Sequence, residues 1–337
     1  MFDFEKLFED FKSIKVGVIG DVMLDTYWWG HVDRISPEAP VPVVALDKNE
    51  YRIGGAGNVA LNLACLGAQV QVLSVIGNDQ NGKVLTDLFL SNNIQTSYLV
   101  SSDARITTSK TRIISRNQQM MRLDAEITKD LSHEDEMLFL ETVRRYLQNE
   151  KPSVVILEDY NKGVLTETII TEVIALCRHY GVITTVDPKK KNFFAYRGVD
   201  IFKPNLKEVK EGLNLLVDEI TSDSLESIHF ALQSRLGHRI SFITLSEKGV
   251  YYCEDEKSRL IPSHVRNIAD VSGAGDTVIA VASLVYATTR NVDLMAEIAN
   301  LAGGLVCEEV GTMAIRKEQL LEETKELIKI QNLGKEN

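Results

Sequence analysis

A single α/β domain, with a mostly parallel sheet covered by helices on both faces, is the fold class that this 337-residue sequence predicts. Two observations carry that expectation. Short apolar runs alternate with helical patterns along most of the chain, and several of the runs end in Asp, Glu or Asn. The alternation fits strands buried on both faces between crossover helices. The polar endings put ligand-binding groups at the carboxyl edge of such a sheet.

The elements follow in order. FDFEKLFEDF (2–11) places Phe4, Leu7, Phe8 and Phe11 at helical spacing. KVGVIGD (15–21) has the form of a buried first strand. Further buried strands are expected at 70–77, 153–159, 182–188, 199–205 and 240–246. Helical patterns occupy 58–67, 82–93, 134–148, 166–181 and 224–237, and TVIAVASLVYA (277–287) reads as a buried helix. Two stretches break the pattern. Residues 27–53 hold Trp28, Trp29, three prolines and the alternating PVPVVALDKNEYRI, and 94–123 contain the alternating ITTSKTRIISR. Both are expected as antiparallel ribbons outside the main sheet, inserted into the one domain of 1–337 as a β lid. The tail IKIQNLGKEN is expected to fray.

Composition narrows the function. At 44% apolar and 25% charged residues, the chain can bury a sizeable core. A formal charge of −11 argues against a nucleic-acid partner, because phosphate backbones recruit basic surfaces. A small anion needs positive charge only locally. Cys65, Cys177, Cys253 and Cys307 form no C-x-x-C pair and stand in apolar stretches, as buried free thiols of a reducing compartment do. The six histidines lack zinc-ligand spacing. With neither a secretory signal nor an apolar run of membrane-spanning length, the expected location is the cytoplasm, away from the membrane.

DVSGAGDTVIA (270–280) is the most informative stretch. Gly273, Ala274 and Gly275 stand between two aspartates at the start of a helix. Unpaired N–H groups there admit an anion, and the helix dipole favours negative charge. Asp276 has two readings that spacing leaves open. One is a first-turn acid that stabilises the helix. The other is a general base for a hydroxyl attacking a phosphoryl group held by those N–H groups.

GAGNVA (55–60) also fits a dinucleotide fingerprint, but the half-polar ribbon precedes it, not the first buried strand, so a Rossmann dehydrogenase is set aside. No G-x-x-x-x-G-K-[ST] occurs, which removes the P-loop enzymes.

DVSGAGD resembles the D-T-x-G-A-G-D signature of the ribokinase-like (PfkB) sugar kinases, with Val271 in place of Thr. Other features of that family follow in its order: G-D-x-x-x-D at Gly20, Asp21 and Asp25; GGAGN at Gly54 to Asn58; N-x-x-E at Asn205 to Glu208; and a turn at Ser246 to Gly249. The resemblance spans roughly 14–315. It implies the three-layer ribokinase-like fold, ATP with Mg²⁺ and, as a further possibility, a monovalent cation. It also implies that Asp276 is the base beside Gly273, Ala274 and Gly275, and that Asp21 or Asp25, Gly55 and Asn58 hold the sugar. Asn205, Glu208, Ser246, Gly249 and Asn300 would line the nucleotide side. Asn205, Glu208 and Asp187 would meet the metal through water, and Lys189 to Lys191 read equally as phosphate ligands or as a solvated loop. Without that context, the acids and Asn58 read equally well as turn and helix caps.

Residues 104–123 carry Arg105, Lys110, Arg112, Arg116 and Arg122 and no acid. If 108–116 is extended, Lys110, Arg112 and Arg116 share one face. That face is either a solvated edge kept basic against aggregation or a wall for a phosphorylated substrate. RISPEAPVPV (34–43), SRNQQMMRLD (115–124) and EDYNKG (158–163) resemble the D-glycero-D-manno-heptose-7-phosphate kinases, a branch of the same family. That resemblance implies phosphorylation at the anomeric hydroxyl, with Lys162, Lys110, Arg112 and Arg116 as candidate phosphate ligands. Gly57 stands where many members of the branch have Ala. Some relatives continue into an adenylyltransferase domain, and the expectation here is a kinase alone, dimeric through its lid. The competing classes are a kinase for another phosphosugar and a non-catalytic binding protein on the same scaffold; the latter need not keep Asp276 or the GAG loop.

Overall fold

The computed structural model describes residues 2–116, 118–215, 220–264, 266–309 and 311–333. In chain order the strands are β1 (Lys15–Gly20), β2 (Val22–Ile35), β3 (Pro42–Gly55), β4 (Gln69–Leu73) and β5 (Val75–Gly77). Then come β6 (Val100–Ser102), β7 (Ser109–Ser115), β8 (Gln118–Ala125), β9 (Val154–Glu158) and β10 (Ile183–Asp187). The last four are β11 (Ile201–Phe202), β12 (Ile240–Thr244), β13 (Val250–Glu254) and β14 (Lys257–Ile261).

Eight strands form the main sheet in the order β14-β13-β12-β11-β10-β9-β1-β4. All neighbours from β4 to β12 run parallel, and β13 and β14 close one edge antiparallel. The strand residues alternate between two cores, as period-2 geometry requires. Val16, Val18, Val154 and Ile156 join one core with the helices Ala56–Cys65, Ala274–Thr289 and Val292–Val306. Ile19, Val155 and Leu157 join the other with the helices His133–Glu150, Glu167–Tyr180 and Ser222–Leu236. Each fully buried Val, Leu or Ile contributes about 1.5–3 kcal/mol. Register then lines up Gly20, Glu158 and Asp187 on adjacent parallel strands at their carboxyl ends.

The structure departs from the sequence expectations at several points. Residues 70–77 are two strands, because Ser74 breaks the run to donate to the Gly20 carbonyl (2.6 Å); β5 then leaves the main sheet to pair with β6. The 199–205 run yields only the two residues of β11. The β13–β14 hairpin, which no expectation covered, turns at Asp255 with φ 52°. The C-terminal helix Lys317–Leu333 continues through much of the stretch expected to fray, and 334–337 lie outside the described residues. Cys177 and Cys253 are buried, but Cys65, at the end of its helix, is exposed and Cys307 is half-buried; all four are free. No helix among the described residues is long and apolar enough to cross a membrane.

A second sheet, β3-β2-β7-β8, stands apart as the lid. β2 and β3 form a long antiparallel ribbon from Val22↔Gly55 to Ile35↔Pro42. β7 pairs parallel with β2 from Leu24↔Ser109, and β8 pairs antiparallel with β7 from Ser109↔Ala125. The second ribbon thus covers 109–125, not 94–123: Gln95 bridges to Gln71 and β6 belongs to the small sheet. Trp28 is exposed, whereas Trp29 is half-buried and stacks on Tyr27.

Candidate active site

The helix Ala274–Thr289 starts at Gly273, whose φ of 80° and ψ of 0° is left-handed, and no side chain caps its first turn. A Cβ at Gly273 would stand 2.8 Å from Asn58 Nδ2, so the glycine lets two helix starts meet. Uncapped N–H groups at a helix start form an anion cradle. Asp276 lies in that first turn and is buried. Its Oδ2 accepts from Asn58 Nδ2 (2.7 Å), and its Oδ1 accepts from the Tyr160 hydroxyl (2.7 Å). Burial pushes its carboxyl up to about 6, Asp187 adds repulsion, and Asn58, Tyr160 and Lys203 work the other way. A carboxylate near 6 is suited to proton acceptance at neutral pH. The first aspartate of the stretch does something else: Asp270 accepts from Ser272 and from the Gly311 N–H. Val271, the departure from the family signature, is exposed.

Asn58 lies in the first turn of the helix Ala56–Cys65, whose N-cap Gly55 has φ 61° and ψ −140°. One turn on, Asn62 accepts from the Thr277 hydroxyl (3.0 Å) and the Ile315 N–H (3.0 Å), tying this helix to the one bearing Asp276. Asp21 is buried, and its carboxylate accepts three backbone N–H groups, from Tyr160 (3.0 Å), Lys162 (3.0 Å) and Val164 (2.9 Å). Asp25 instead stands in the lid sheet on β2, where Arg112 of the neighbouring β7 donates to its Oδ1 (2.6 Å). The two acids that sequence left as alternatives have separate surroundings.

Beneath the cradle, Lys203 is buried with its Nζ 2.7 Å from Asp187 Oδ2. A Cβ at Gly275 would stand 3.9 Å from that Nζ, so the ammonium lies under the loop. Lys189 bridges Glu208 Oε1 (2.6 Å) and Asp187 Oδ1 (3.5 Å). Burial works to raise the Asp187 carboxyl, yet the two lysines hold it below its ordinary value. Glu158 is buried beside this group, and burial with repulsion from Asp187 and Asp276 keeps its carboxyl well above the usual range. Lys191 turns away to Asp130, and Lys190 is exposed.

Asn205 and Glu208 form a reciprocal capping box at the helix Leu206–Leu213, each accepting the other's backbone N–H at 2.8 Å. Asn205 also bridges to Thr244, at the end of β12 and just before the Ser246 turn. Ser246 and Gly249 carry left-handed φ values of 53° and 93°. Asn300, on the helix Val292–Val306, donates to the Pro262 carbonyl (2.9 Å), against which Gly249 packs. The five nucleotide-side candidates thus adjoin one another, with Asn300 spent on a backbone carbonyl.

The basic wall is ion-paired. Lys110 reaches Asp124 (3.1 Å) and Glu126 (3.4 Å), and Lys162 reaches Glu126 (2.8 Å). Burial works to raise the Glu126 carboxyl, but Lys162 and Lys110 overcome it and hold the group low. Lys110 and Arg112 share a face of β7. Arg116 does not continue it: the strand ends at Ser115, and Arg116 sits exposed in the turn with φ 49°. Sequence reasoning passed over Asp124 and Glu126, just beyond the acid-free stretch. It also assigned no role to Tyr160, Glu158 or Lys203. Their partners are remote in sequence, so no local spacing marks them.

The family model of the pfkB carbohydrate kinases matches residues 13–319. The chain belongs to this family. Among curated relatives, bifunctional protein HldE of Geobacter sulfurreducens is 37% identical over 318 residues, and that of Methylococcus capsulatus 39% over 312. These alignments cover 94% and 92% of this chain but 64% of each relative. The chain thus spans about two thirds of their length. Among solved structures, phosphofructokinase-2 from Escherichia coli in complex with potassium superposes with a TM-score of 0.74 at 19% identity, covering 92% of this chain and 97% of that one. Ribokinase from Arabidopsis thaliana, complexed with ribose and ATP, gives 0.70 at 19% identity, with 91% and 98% covered. The fold is ribokinase-like, and the family is that of the pfkB carbohydrate kinases.

Proposed function

We propose that this kinase transfers the γ-phosphoryl group of ATP to the anomeric O1 of D-glycero-D-manno-heptose 7-phosphate. The product, the 1,7-bisphosphate, is a precursor of ADP-heptose. The observation that carries the choice of a phosphorylated sugar is the gathering of Lys110, from the lid strand β7, and Lys162, from the loop after β9, around Glu126, beside the lid pair Asp25 and Arg112. A substrate phosphate exchanges for Glu126 at the two ammonium groups, and Arg112 offers a fork for a further oxygen. Arg116 contributes from the turn only if the lid closes. The motifs shared with heptose-7-phosphate kinases support the sugar itself.

Asp276 takes the O1 proton as O1 attacks the γ-phosphorus. The O1–P bond forms, the bond to the β–γ bridging oxygen breaks, and ADP leaves. The N–H groups of Gly273, Ala274 and Gly275 and the ammonium of Lys203 stabilise the charge on the transferring oxygens. Asn58 orients the base while Gly55 and Asp25 shape the sugar side; Asn205, Glu208, Ser246, Gly249 and Asn300 frame the nucleotide. Magnesium, when bound, neutralises phosphate charge. Among the described residues no group of three or more His, Cys, Asp or Glu could hold a metal, and Asp187 and Glu208 already have ammonium partners. Asp187 and Glu208 would meet a bound ion through water, and the ion would supply charge neutralisation at the phosphates. The exposed lid residues Trp28, Leu46, Met121 and Leu123 support a homodimer clasped through the lids.

The test is ATP-Mg turnover on heptose 7-phosphate, fructose 6-phosphate, ribose and adenosine, with Asp276→Asn as control. Turnover confined to heptose 7-phosphate, and reduced about 10²–10⁴-fold in the variant, is expected. Turnover on another sugar overturns the heptose. Near-normal turnover in Asp276→Asn overturns the base.

A further inference from the structure

We propose that Tyr160 is a positioning residue for the base Asp276, and that Asp21 is the anchor that presents it. The inference rests on Asp276 being the base. Tyr160 donates its hydroxyl to Asp276 Oδ1 while Asn58 donates to Oδ2, both at 2.7 Å. Two fixed donors, one on each oxygen, set the plane of the carboxylate. Each oxygen keeps a second lone-pair direction for the incoming hydroxyl. The donors arrive from different directions in the fold: Asn58 from the helix Ala56–Cys65, Tyr160 from the loop after β9.

One side chain gathers three backbone donors of that loop. Asp21 accepts the N–H groups of Tyr160, Lys162 and Val164 with both its carboxylate oxygens. Asp159 adds a local clasp, accepting from the Asn161 N–H (2.7 Å) and the Tyr196 hydroxyl (2.8 Å). Residue 160 therefore points its phenol at the base from a loop whose backbone cannot shift without breaking the Asp21 bonds. Two positions on, the same anchor fixes Lys162, which reaches the lid acid Glu126. One carboxylate thus sets both the base and one cation of the proposed phosphate wall. This is a different task from holding sugar hydroxyls, and it uses both oxygens of the Asp21 carboxylate.

A donor on a carboxylate favours its charged form. Asp276 is faced by Asp187, which repels its charge, by Lys203, which attracts it, and by Glu158, whose own carboxyl the Asp276 charge helps to hold up. Against burial and that repulsion, the Tyr160 bond helps keep the base ionised. Burial and the neighbouring Asp276 charge push the phenol itself well above its ordinary value, so it stays a donor across the working pH range.

The test compares Tyr160→Phe, Asp21→Asn and the double variant on the sugar that the unmodified kinase turns over, with Asp276→Asn alongside. Tyr160→Phe removes one oxygen and leaves the ring. The expected result is a roughly tenfold fall in kcat with the sugar KM little changed. The acid limb of kcat/KM should also move up by about one pH unit. Asp21→Asn should lower kcat and raise the sugar KM, and adding Tyr160→Phe to it should cost little more. Carboxyl ¹³C NMR of the unliganded, aspartate-labelled protein, assigned with Asp276→Asn, reads the same titration without turnover. A Tyr160→Phe variant whose Asp276 midpoint and acid limb stay in place overturns the positioning role. Retained turnover in Asp276→Asn overturns the base reading instead, and the NMR titration still decides the hydrogen bond. If Asp21→Asn does not fold, Tyr160→Phe decides alone.

Discussion

At the scale of single residues, Asp276, the proposed base, is both buried and ionisable. Its folded-state value of about 6 lies above the ordinary 3.8, burial being the main cause. The base works only when unprotonated, so turnover should be constant above about pH 7 and fall roughly tenfold for each pH unit well below 6. A pH profile of kcat/KM checks this, and a limb near 4 would mean that substrate binding or another group governs it. Asp276, Asn58 and the glycines between the aspartates were legible in sequence because they sit in short motifs. Tyr160 and Lys203 were not, because their meaning comes from contacts: the tyrosine is 116 residues from its partner in sequence. Asp21 was legible as a motif acid, while the three backbone donors that its carboxylate accepts come from a distant loop and leave no mark in its own stretch.

At the scale of elements, helix starts and lid strands carry the site. Gly55 has φ 61° and ψ −140°, and a Cβ there would meet the Asp21 carbonyl at 2.4 Å. Gly55→Ala should destabilise the fold by about 1–3 kcal/mol, read as a lower urea midpoint, and should weaken turnover through Asn58. On β7, Lys110→Met should raise KM for the phosphosugar about tenfold or more, the worth of one charge-assisted hydrogen bond, and leave KM for ATP in place. Equal effects on both substrates would remove Lys110 from the phosphate wall. Period and apolar density identified most strands of the main sheet, because burial on both faces leaves a continuous signature. The same criteria ran β4 and β5 together, since a single serine that turns inward to a carbonyl looks like any strand residue. They also passed over the β13–β14 hairpin, whose outer strand is exposed and carries Lys257 and Arg259.

At the scale of the whole molecule, the layer order and the existence of a separate lid were legible, because alternation of strand and helix permits few arrangements. How far the lid extends was not, since polar alternation at 94–108 looks the same whether a segment pairs in a lid or crosses the body. The proposed dimer predicts a mass near twice 37.7 kDa by light scattering at micromolar concentration, and a monomer after Met121→Glu. A monomer of the unmodified chain would set the lid clasp aside. The lid also has an uneven geometry. All four of its strands start from one row, Val22↔Gly55, Leu24↔Ser109 and Ser109↔Ala125, while the far end of the β2–β3 ribbon, beyond Gly30↔Ser115, pairs with no third strand among the described residues. Asp25, Lys110 and Asp124 stand within a few residues of that row, and the ribbon tip lies some 12 residues further out, roughly 40 Å at strand rise. This is a lever with a short arm at the ligand and a long arm at the tip. A grip that moves the tip by several ångströms turns the ligand end by only a fraction of one, which makes the tip the place where a weak force can adjust the site finely.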